Sequence, residues 1–465
     1  MQQIEQVLDV AAMRAAEAAL IAAGTSVDEL MQVAGRGAAE WVWRMAGHHP
    51  VTVLCGPGNN GGDGYVIAEA LRARGGKVQV VAATEPATAA ARTARALYRG
   101  DVLGADAEAQ GDVLVDCLFG SGLTRPLTDE HHALLIRLAA RHHRLIAIDL
   151  PSGVESDSGA ALNPGLPRYT LTVALGAWKQ AHFLMPAAGT MGHLRLVGIG
   201  CAAVSGAPGV IARPALSAPA ADAHKYRRGL LAVVGGAMPG AAELACTAAQ
   251  GAGAGYVRLL AEHAEPVAAD LVQDARPLAE ASADERIAAL LVGPGLGRGD
   301  PARWRLTAAL TGDHPLVLDA DALILLRHDD LAGRQHPAIA TPHEGELAVL
   351  ERTFGLAHEG TKLARARALA AATGMIVVAK GPDTIVAAPD GRAAFAHRAS
   401  SWLSAAGTGD VLAGIIASRL ACGAEAFAAA SEGVWLQGEA ARLAGPAFSA
   451  AALAAEVRSA YAACL

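Results

Sequence analysis

The chain has 465 residues, 52% of them hydrophobic and 18% charged, with a formal net charge of −7. That length exceeds one core and predicts two or three domains. The negative balance argues against nucleic acid or an anionic membrane as a partner. Six cysteines (Cys55, Cys117, Cys201, Cys246, Cys422 and Cys464) are scattered without a CxxC pair, so neither a zinc site nor a disulfide framework is indicated. Residues 1–19 are amphipathic and carry Glu5, Asp9, Arg14 and Glu17, unlike a signal peptide or a membrane span. A cytoplasmic, reducing location is expected.

In chain order, apolar runs at 51–54, 77–82, 112–117, 145–150, 169–175 and 194–199 alternate with helix-like runs. This predicts βαβ units and a mostly parallel sheet. Residues 203–222 are rich in Ala, Pro, Ser and Gly and read as a connector. A second series follows at 230–234, 256–260, 288–292, 316–319, 338–341, 375–379 and 384–387, with Ala-rich helices at 409–421 and 426–444. The expected organisation is a first domain over 1–205, a linker over 206–221 and a second domain over 222–465.

Ligands of open parallel sheets bind beyond the carboxyl ends of the strands. At one such end lies Cys55-Gly56-Pro57-Gly58-Asn59-Asn60-Gly61-Gly62-Asp63-Gly64. Its five glycines let the backbone turn and bring N–H groups close to a ligand, and the helix that follows favours an anion. The Asn and Asp oxygens suit a cation or ribose hydroxyls. At two more strand ends, Asp116 precedes Gly120-Ser121-Gly122-Leu123-Thr124-Arg125-Pro126, and Asp149 precedes Pro151-Ser152-Gly153. A carboxylate ending an apolar strand needs a partner. A hard cation, a bound ligand or capping of the next helix would each supply one.

These three ordered motifs resemble the NAD(P)HX epimerase domain, over most of residues 1–200. The resemblance implies a Rossmann-like three-layer α/β domain that interconverts the R and S forms at C6 of a hydrated nicotinamide ring. It implies that Asn59, Asn60, Gly61, Gly62, Asp63, Gly120, Ser121, Gly122, Leu123, Thr124, Arg125, Pro126 and Asp149 hold the hydrate. Potassium would be bound by Asn60, Asp116 and Ser152. Asp149 and Lys179, the latter in Leu175-Gly176-Ala177-Trp178-Lys179, are the expected catalytic partners. Ser121 stands where the family often has Thr, and Glu155 near a usual Asp.

In the second half, Gly407-Thr408-Gly409-Asp410 places a glycine turn before a helix and a carboxylate in its first turn. Backbone N–H groups there can stabilise a moving phosphoryl group, and Asp410 can take a proton from a hydroxyl. The other reading is a helix-dipole carboxylate. Val292-Gly293-Pro294-Gly295-Leu296-Gly297, Thr341-Pro342-His343-Glu344-Gly345-Glu346 and Lys380-Gly381-Pro382-Asp383-Thr384 follow strand ends in the same order as in the ribokinase-like fold. Within it they resemble the ADP-dependent NAD(P)HX dehydratase, over roughly residues 222–460. The resemblance implies that Lys380, Gly381, Pro382, Asp383, Thr384 and Gly409 contact the adenine nucleotide, with magnesium. Ala241, Gly297, His343 and Asp410 would face the hydrate, with Asp410 catalytic. The Gly235–Ala241 opening lacks the aromatic often found there. Asp319 and Asp321 suit either magnesium or capping of the next helix, and His343 read alone would suit a buried structural role.

The expectation is a two-domain α/β enzyme that epimerises hydrated NADH and NADPH and dehydrates the S form using ADP. Nucleic acid and membranes are not expected as partners, and a homo-oligomer is. Two alternatives are a ribokinase-like small-molecule kinase with a regulatory first domain, and a non-enzymatic binding module in the first half.

Overall fold

A computed structural model describes residues 4–261 and 268–465. The chain forms two compact units, Met1–Gly209 and Val210–Leu465.

The first unit is built on valine-rich strands in one seven-stranded sheet. Its order is Val102–Leu103, Val78–Ala82, Val51–Cys55, Gly111–Cys117, His142–Ile148, Leu171–Leu175 and His193–Val197, and every pairing is parallel. Alternate residues go to opposite faces. Val51, Val53, Cys55, Val113 and Val115 pack on one side with Ala38 and Val42 of helix Val27–Ala46, Ile67 of Asn59–Ala73 and Ala94 of Ala89–Leu97. Leu54, Leu114 and Ala147 pack on the other with Leu134 and Leu138 of helix Asp129–Ala139. Two buried layers enclosing one parallel sheet explain why its strands read as near-continuous apolar runs.

Strand ends differ from the sequence reading for local reasons. The run at 145–150 starts earlier and stops at Ile148, because Asp149 takes φ +66° and leaves the extended region. His142 anchors its start, with ring contacts to Leu138 O at 2.7 Å and Thr52 Oγ1 at 2.9 Å. A short parallel pair, Val7–Leu8 with Trp178–Lys179, carries too little pattern to be read from sequence and places Leu8 beside Lys179.

The second unit has a longer sheet. From Val272–Asp274 it runs through Tyr256–Leu260, Leu230–Val234, Ile287–Val292, Leu316–Leu318, Ala338–Ala340 and Ile376–Ala379, all parallel. Ile385–Ala387 and Ala393–Phe395 continue it antiparallel. Helices cover both faces. Ala245, Ala413 and Ala429 pack on one side with Leu231 and Val233; Leu306, Leu347 and Leu369 pack on the other with Leu230 and Ala232. Gly414 lets helices Pro239–Gly251 and Thr408–Ala421 touch, since a Cβ there would stand 2.2 Å from Ala245 O. A last helix, Ala450–Ala462, capped by Ser449, was not distinguished in the sequence because its composition matches the Ala-rich helices before it.

The stretch expected as a linker is partly built into this unit. Ile211 is buried in its core and its N–H donates to Phe395 O at 2.8 Å; Leu216 N–H donates to Cys464 O at 3.0 Å. Pro- and Gly-rich composition masked these anchored residues. Among the described residues no single helix is long and apolar enough to cross a membrane.

Candidate active sites

The first unit brings its motifs together at the carboxyl ends of the three central strands. Close approach depends on glycine. A Cβ at Gly56 would stand 1.8 Å from Leu118 O, and one at Gly61 would stand 1.9 Å from Gly56 O. The loop therefore folds flat against the Leu118–Gly120 turn and starts helix Asn59–Ala73 with no side-chain cap. Asn59 Oδ1 accepts from Thr88 Oγ1 at 2.7 Å. Both amide atoms of Asn60 are buried without a partner. Gly120 approaches both Asp149 and Asn60: a Cβ there would stand 2.9 Å from Asp149 Oδ2 and 3.3 Å from Asn60 Oδ1. Asn60, Gly120 and Asp149 thus converge. Gly122, Thr124, Arg125 and Pro126 are exposed on the loop beyond, which is pinned at Leu127 by Asn163 Oδ1 at 2.8 Å.

Asp116 and Ser152 lie beneath. Asp116 is fully buried and accepts from Leu118 N, Ser152 N, Ser152 Oγ and Tyr169 Oη at 3.1, 3.1, 2.7 and 2.5 Å. Burial still raises its carboxyl, against those bonds. Asp116 does not cap a following helix; it ties two strand ends together.

Asp149 is the charged centre. Its Oδ1 accepts from Lys179 Nζ at 2.5 Å and its Oδ2 from Ser121 N at 2.9 Å; Lys179 is 1% exposed and also donates to Leu175 O at 2.6 Å. Burial works to raise the Asp149 carboxyl, but the Lys179 charge and these bonds bring it below the ordinary value. Asp63 is buried nearby, and burial together with the Asp149 and Glu17 charges pushes it well above the usual range. Glu17, on helix Val10–Ala22, is raised by burial, with Lys179 opposing and Asp149 reinforcing.

The second unit gathers three carboxylates, Asp319, Glu346 and Asp410, around one ammonium. Lys380 Nζ donates to Asp319 Oδ1 at 2.6 Å and lies 3.9 Å from Glu346 Oε2. Burial pulls the Lys380 ammonium down, but Asp319 and Glu346 outweigh it and its pKa is raised. Asp319 also accepts from Thr341 Oγ1 at 2.6 Å. Asp410 lies in the first turn of helix Thr408–Ala421, whose N-cap Gly407 takes φ +89°. Burial, with the Asp319 charge, raises its carboxyl to about 6 against the pull of Lys380.

Asp321 accepts from Gly297 N at 2.9 Å and Arg298 Nε at 2.7 Å, so it positions the Gly297 loop. Neither Asp319 nor Asp321 caps helix Asp321–Leu325, whose N-cap is Ala320. Ala241 flanks the same loop: a Cβ at Gly295 would stand 3.0 Å from Ala241 Cβ. His343 is not a buried structural histidine. Its exposed ring caps helix Glu344–Thr353, with Nδ1 accepting from Gly345 N at 3.0 Å and Glu346 N at 3.2 Å. On the Gly381–Thr384 turn, Asp383 is held by Lys362 Nζ at 2.5 Å, Thr384 Oγ1 donates to Gly381 O at 2.8 Å, and Pro382 is exposed.

Residues 27–181 match the family described as YjeF-related protein N-terminus, and residues 231–461 match the NAD(P)H-hydrate dehydratase family. A bifunctional NAD(P)H-hydrate repair enzyme from Gloeobacter violaceus is 36% identical over 446 residues, covering 87% of this chain and 87% of that relative. The chain belongs to the bifunctional NAD(P)H-hydrate repair enzymes. A member of this family from Mycobacterium tuberculosis H37Rv is 34% identical and covers 88% of each chain. The solved ADP/ATP-dependent NAD(P)H-hydrate dehydratase from Bacillus subtilis, co-crystallized with ATP/Mg2+, is 27% identical. It covers 54% of this chain and 95% of that one, with a TM-score of 0.46.

Within this repair enzyme, several groups at the sites escaped the sequence reading. Glu17 lies far from every motif. Lys362 sits on a helix whose pattern is unremarkable, and only the fold brings it to Asp383. His182 follows Lys179 by three residues, a spacing that signals a local turn and nothing more. Glu346 lay inside a quoted motif, but its burial beside Lys380 was not visible there.

Proposed function

We propose that the two reactions of this bifunctional repair enzyme are divided between the units, with epimerisation at Asp149–Lys179 and dehydration at Asp410. One observation carries the division. Each unit holds its own lysine–carboxylate pair just beyond a strand of a parallel sheet: Lys179 with Asp149, both buried, and part-buried Lys380 with buried Asp319.

In the first unit, C6 of the hydrate carries its hydroxyl next to the ring nitrogen. Lys179 gives a proton to the departing oxygen as the C6–O bond breaks, and the ring nitrogen supplies the electron pair. Water adds back on either face, Asp149 accepts its proton and passes it to Lys179, which restores the pair. Gly61 and Gly120 keep the loops low enough for the ligand to approach; Gly62 packs against Met31 and Ala91, and the Ser121 N–H is spent on Asp149. Asn60, Asp116 and Ser152 would hold a potassium ion in this reading, for which the unpartnered buried amide of Asn60 is the support. Such an ion would supply positive charge for an anionic ligand.

In the second unit the ring hydroxyl is first made a better leaving group. Asp410 takes the hydroxyl proton as oxygen bonds to the terminal phosphorus of ADP and AMP departs. The backbone at Gly407 to Gly409 faces the transferred group. Phosphate then leaves C6 with the bonding pair, the ring nitrogen stabilises the cation, and the departing phosphate takes a C5 proton, which restores the dihydronicotinamide. The Gly381–Thr384 turn, braced by Lys362, binds the adenine nucleotide, and Gly297, Ala241 and His343 line the hydrate side. Asp319, Asp321, Glu346 and Asp410 against Lys380 and Arg298 leave a negative excess that magnesium with the nucleotide would offset.

The test supplies mixed R and S hydrate with ADP or ATP and follows dihydronicotinamide absorbance. A fast phase for S and a slower one for R are expected. A stable phosphorylated product without recovered absorbance would identify a small-molecule kinase instead.

A further inference from the structure

We infer that His182 is a positioning residue of the epimerase site, joining the backbone of Asp149 to the backbone of Lys179 and so setting how their side chains meet. The inference rests on the reading of Asp149 and Lys179 as the catalytic pair.

His182 is 1% exposed, on the short turn Gln180–His182. Its Nε2 lies 2.8 Å from Asp149 O, and Lys179 N–H donates to its Nδ1 at 2.9 Å. A carbonyl only accepts, so the 2.8 Å contact puts the proton on Nε2 and leaves Nδ1 its lone pair for Lys179 N–H; Lys179 O, at 3.2 Å from Nδ1, is the longer contact and goes unbonded in that neutral tautomer. Burial, then the Lys179 charge, pushes the ring pKa down to about 4, so it stays neutral through the physiological range. Trp178 packs edge-on against it at 5.4 Å between ring centres.

Asp149 needs such a clamp. Its φ of +66° lies in the left-handed region that non-glycine residues rarely adopt. Asp149 N–H donates to Val173 O at 2.7 Å, and His182 holds the carbonyl on the other side. The same ring fixes the Lys179 amide. One side chain therefore sets both ends of a 2.5 Å ion pair between residues 30 apart in the chain. A replacement without polar atoms leaves Asp149 O and Lys179 N–H buried and unpaired, and the pair is free to shift.

The test uses the full-length protein with mixed R and S hydrate and ADP. The fast phase reports the dehydratase unit in the same trace, and thermal unfolding reports the first unit. His182→Phe is expected to lower the kcat of the slow phase about 10- to 100-fold with KM nearly unchanged, as for a small misplacement of reacting groups. Its acid limb should move to higher pH, because Asp149 loses part of the Lys179 charge while Ser121, Asp63 and Glu17 remain around it. His182→Asn, whose oxygen replaces the Nδ1 acceptor, and His182→Gln, whose N–H replaces the Nε2 donor, should each recover part of the rate. If the Phe variant fails to fold, these two carry the test. Slow phases close to wild type, or a loss in KM alone, or slowing without movement of the acid limb, would overturn the inference. Lys179→Met is measured alongside. If it is inactive while the His182 variants are normal, only the positioning role falls; if it is itself active, the catalytic pair falls and this inference with it.

Discussion

Gly409 and Lys380 meet across the second site: a Cβ at Gly409 would stand 3.5 Å from Lys380 Nζ. The first turn of helix Thr408–Ala421 therefore lies at van der Waals distance from the ammonium that Asp319 holds. Asp410 is thereby carried into a field of three other carboxylates, Asp319, Asp321 and Glu346, relieved by one lysine.

Asp410→Asn should lower dehydration about 10²- to 10⁴-fold, the loss of a general base, and leave epimerisation intact. In the wild type, dehydration should rise with pH through about 6 as Asp410 ionises. The stability sign is opposite. A carboxyl raised from 3.8 to about 6 favours the folded state most at low pH, and that contribution fades as pH climbs through about 6. Asp410→Asn should therefore melt higher than wild type above that value and show no such gain below 3.8. A variant with near-normal dehydration would remove Asp410 from the chemistry.

Gly56→Ala should disable epimerisation. The added Cβ would stand 1.8 Å from Leu118 O, a backbone atom that cannot rotate away, so one of the two loops must move. A cost of about 1–3 kcal/mol to the first unit is expected from overpacking. Slow-phase rate and thermal unfolding together check this, with the fast phase unaffected.

Asn60 separates an ion or ligand site from mere structure. A buried amide with no partner costs about 1–3 kcal/mol. If nothing binds it, Asn60→Ala should be neutral or stabilising and epimerisation should not change. If potassium or the hydrate satisfies it, the rate should fall. If the partner is potassium, the wild-type rate should also be higher in potassium than in tetramethylammonium at equal ionic strength. Equal rates in the two salts would end the potassium assignment.

The second unit expressed as residues 210–465 should be more stable than one starting at 218. The shorter piece loses buried Ile211 and the Leu216 bond to Cys464 O. Loss of the Ile211 side chain alone is worth about 1.5–3 kcal/mol. Matching denaturation midpoints would show that this stretch adds nothing.

The two strand series, the parallel pairing and the glycine loops were readable in the chain, because buried strands and close-approach turns impose their residue types locally. Thus Val51–Cys55 and Leu230–Val234 declared themselves, as did Gly56 and Gly407. Motifs also pointed to Asp149, Lys179 and Asp410, each beside a glycine turn or a strand end. Tertiary structure alone decided which charges face each other. Lys380 turns to Asp319, 61 residues away; Asp321 holds the Gly297 loop; Asp116 is closed by Ser152 and Tyr169; His182 links Asp149 to Lys179. Composition likewise hid Ile211 in an apparent linker. Backbone preferences act over a few residues and leave a pattern, whereas ion pairs and burial depend on distances that exist only once the sheet has closed.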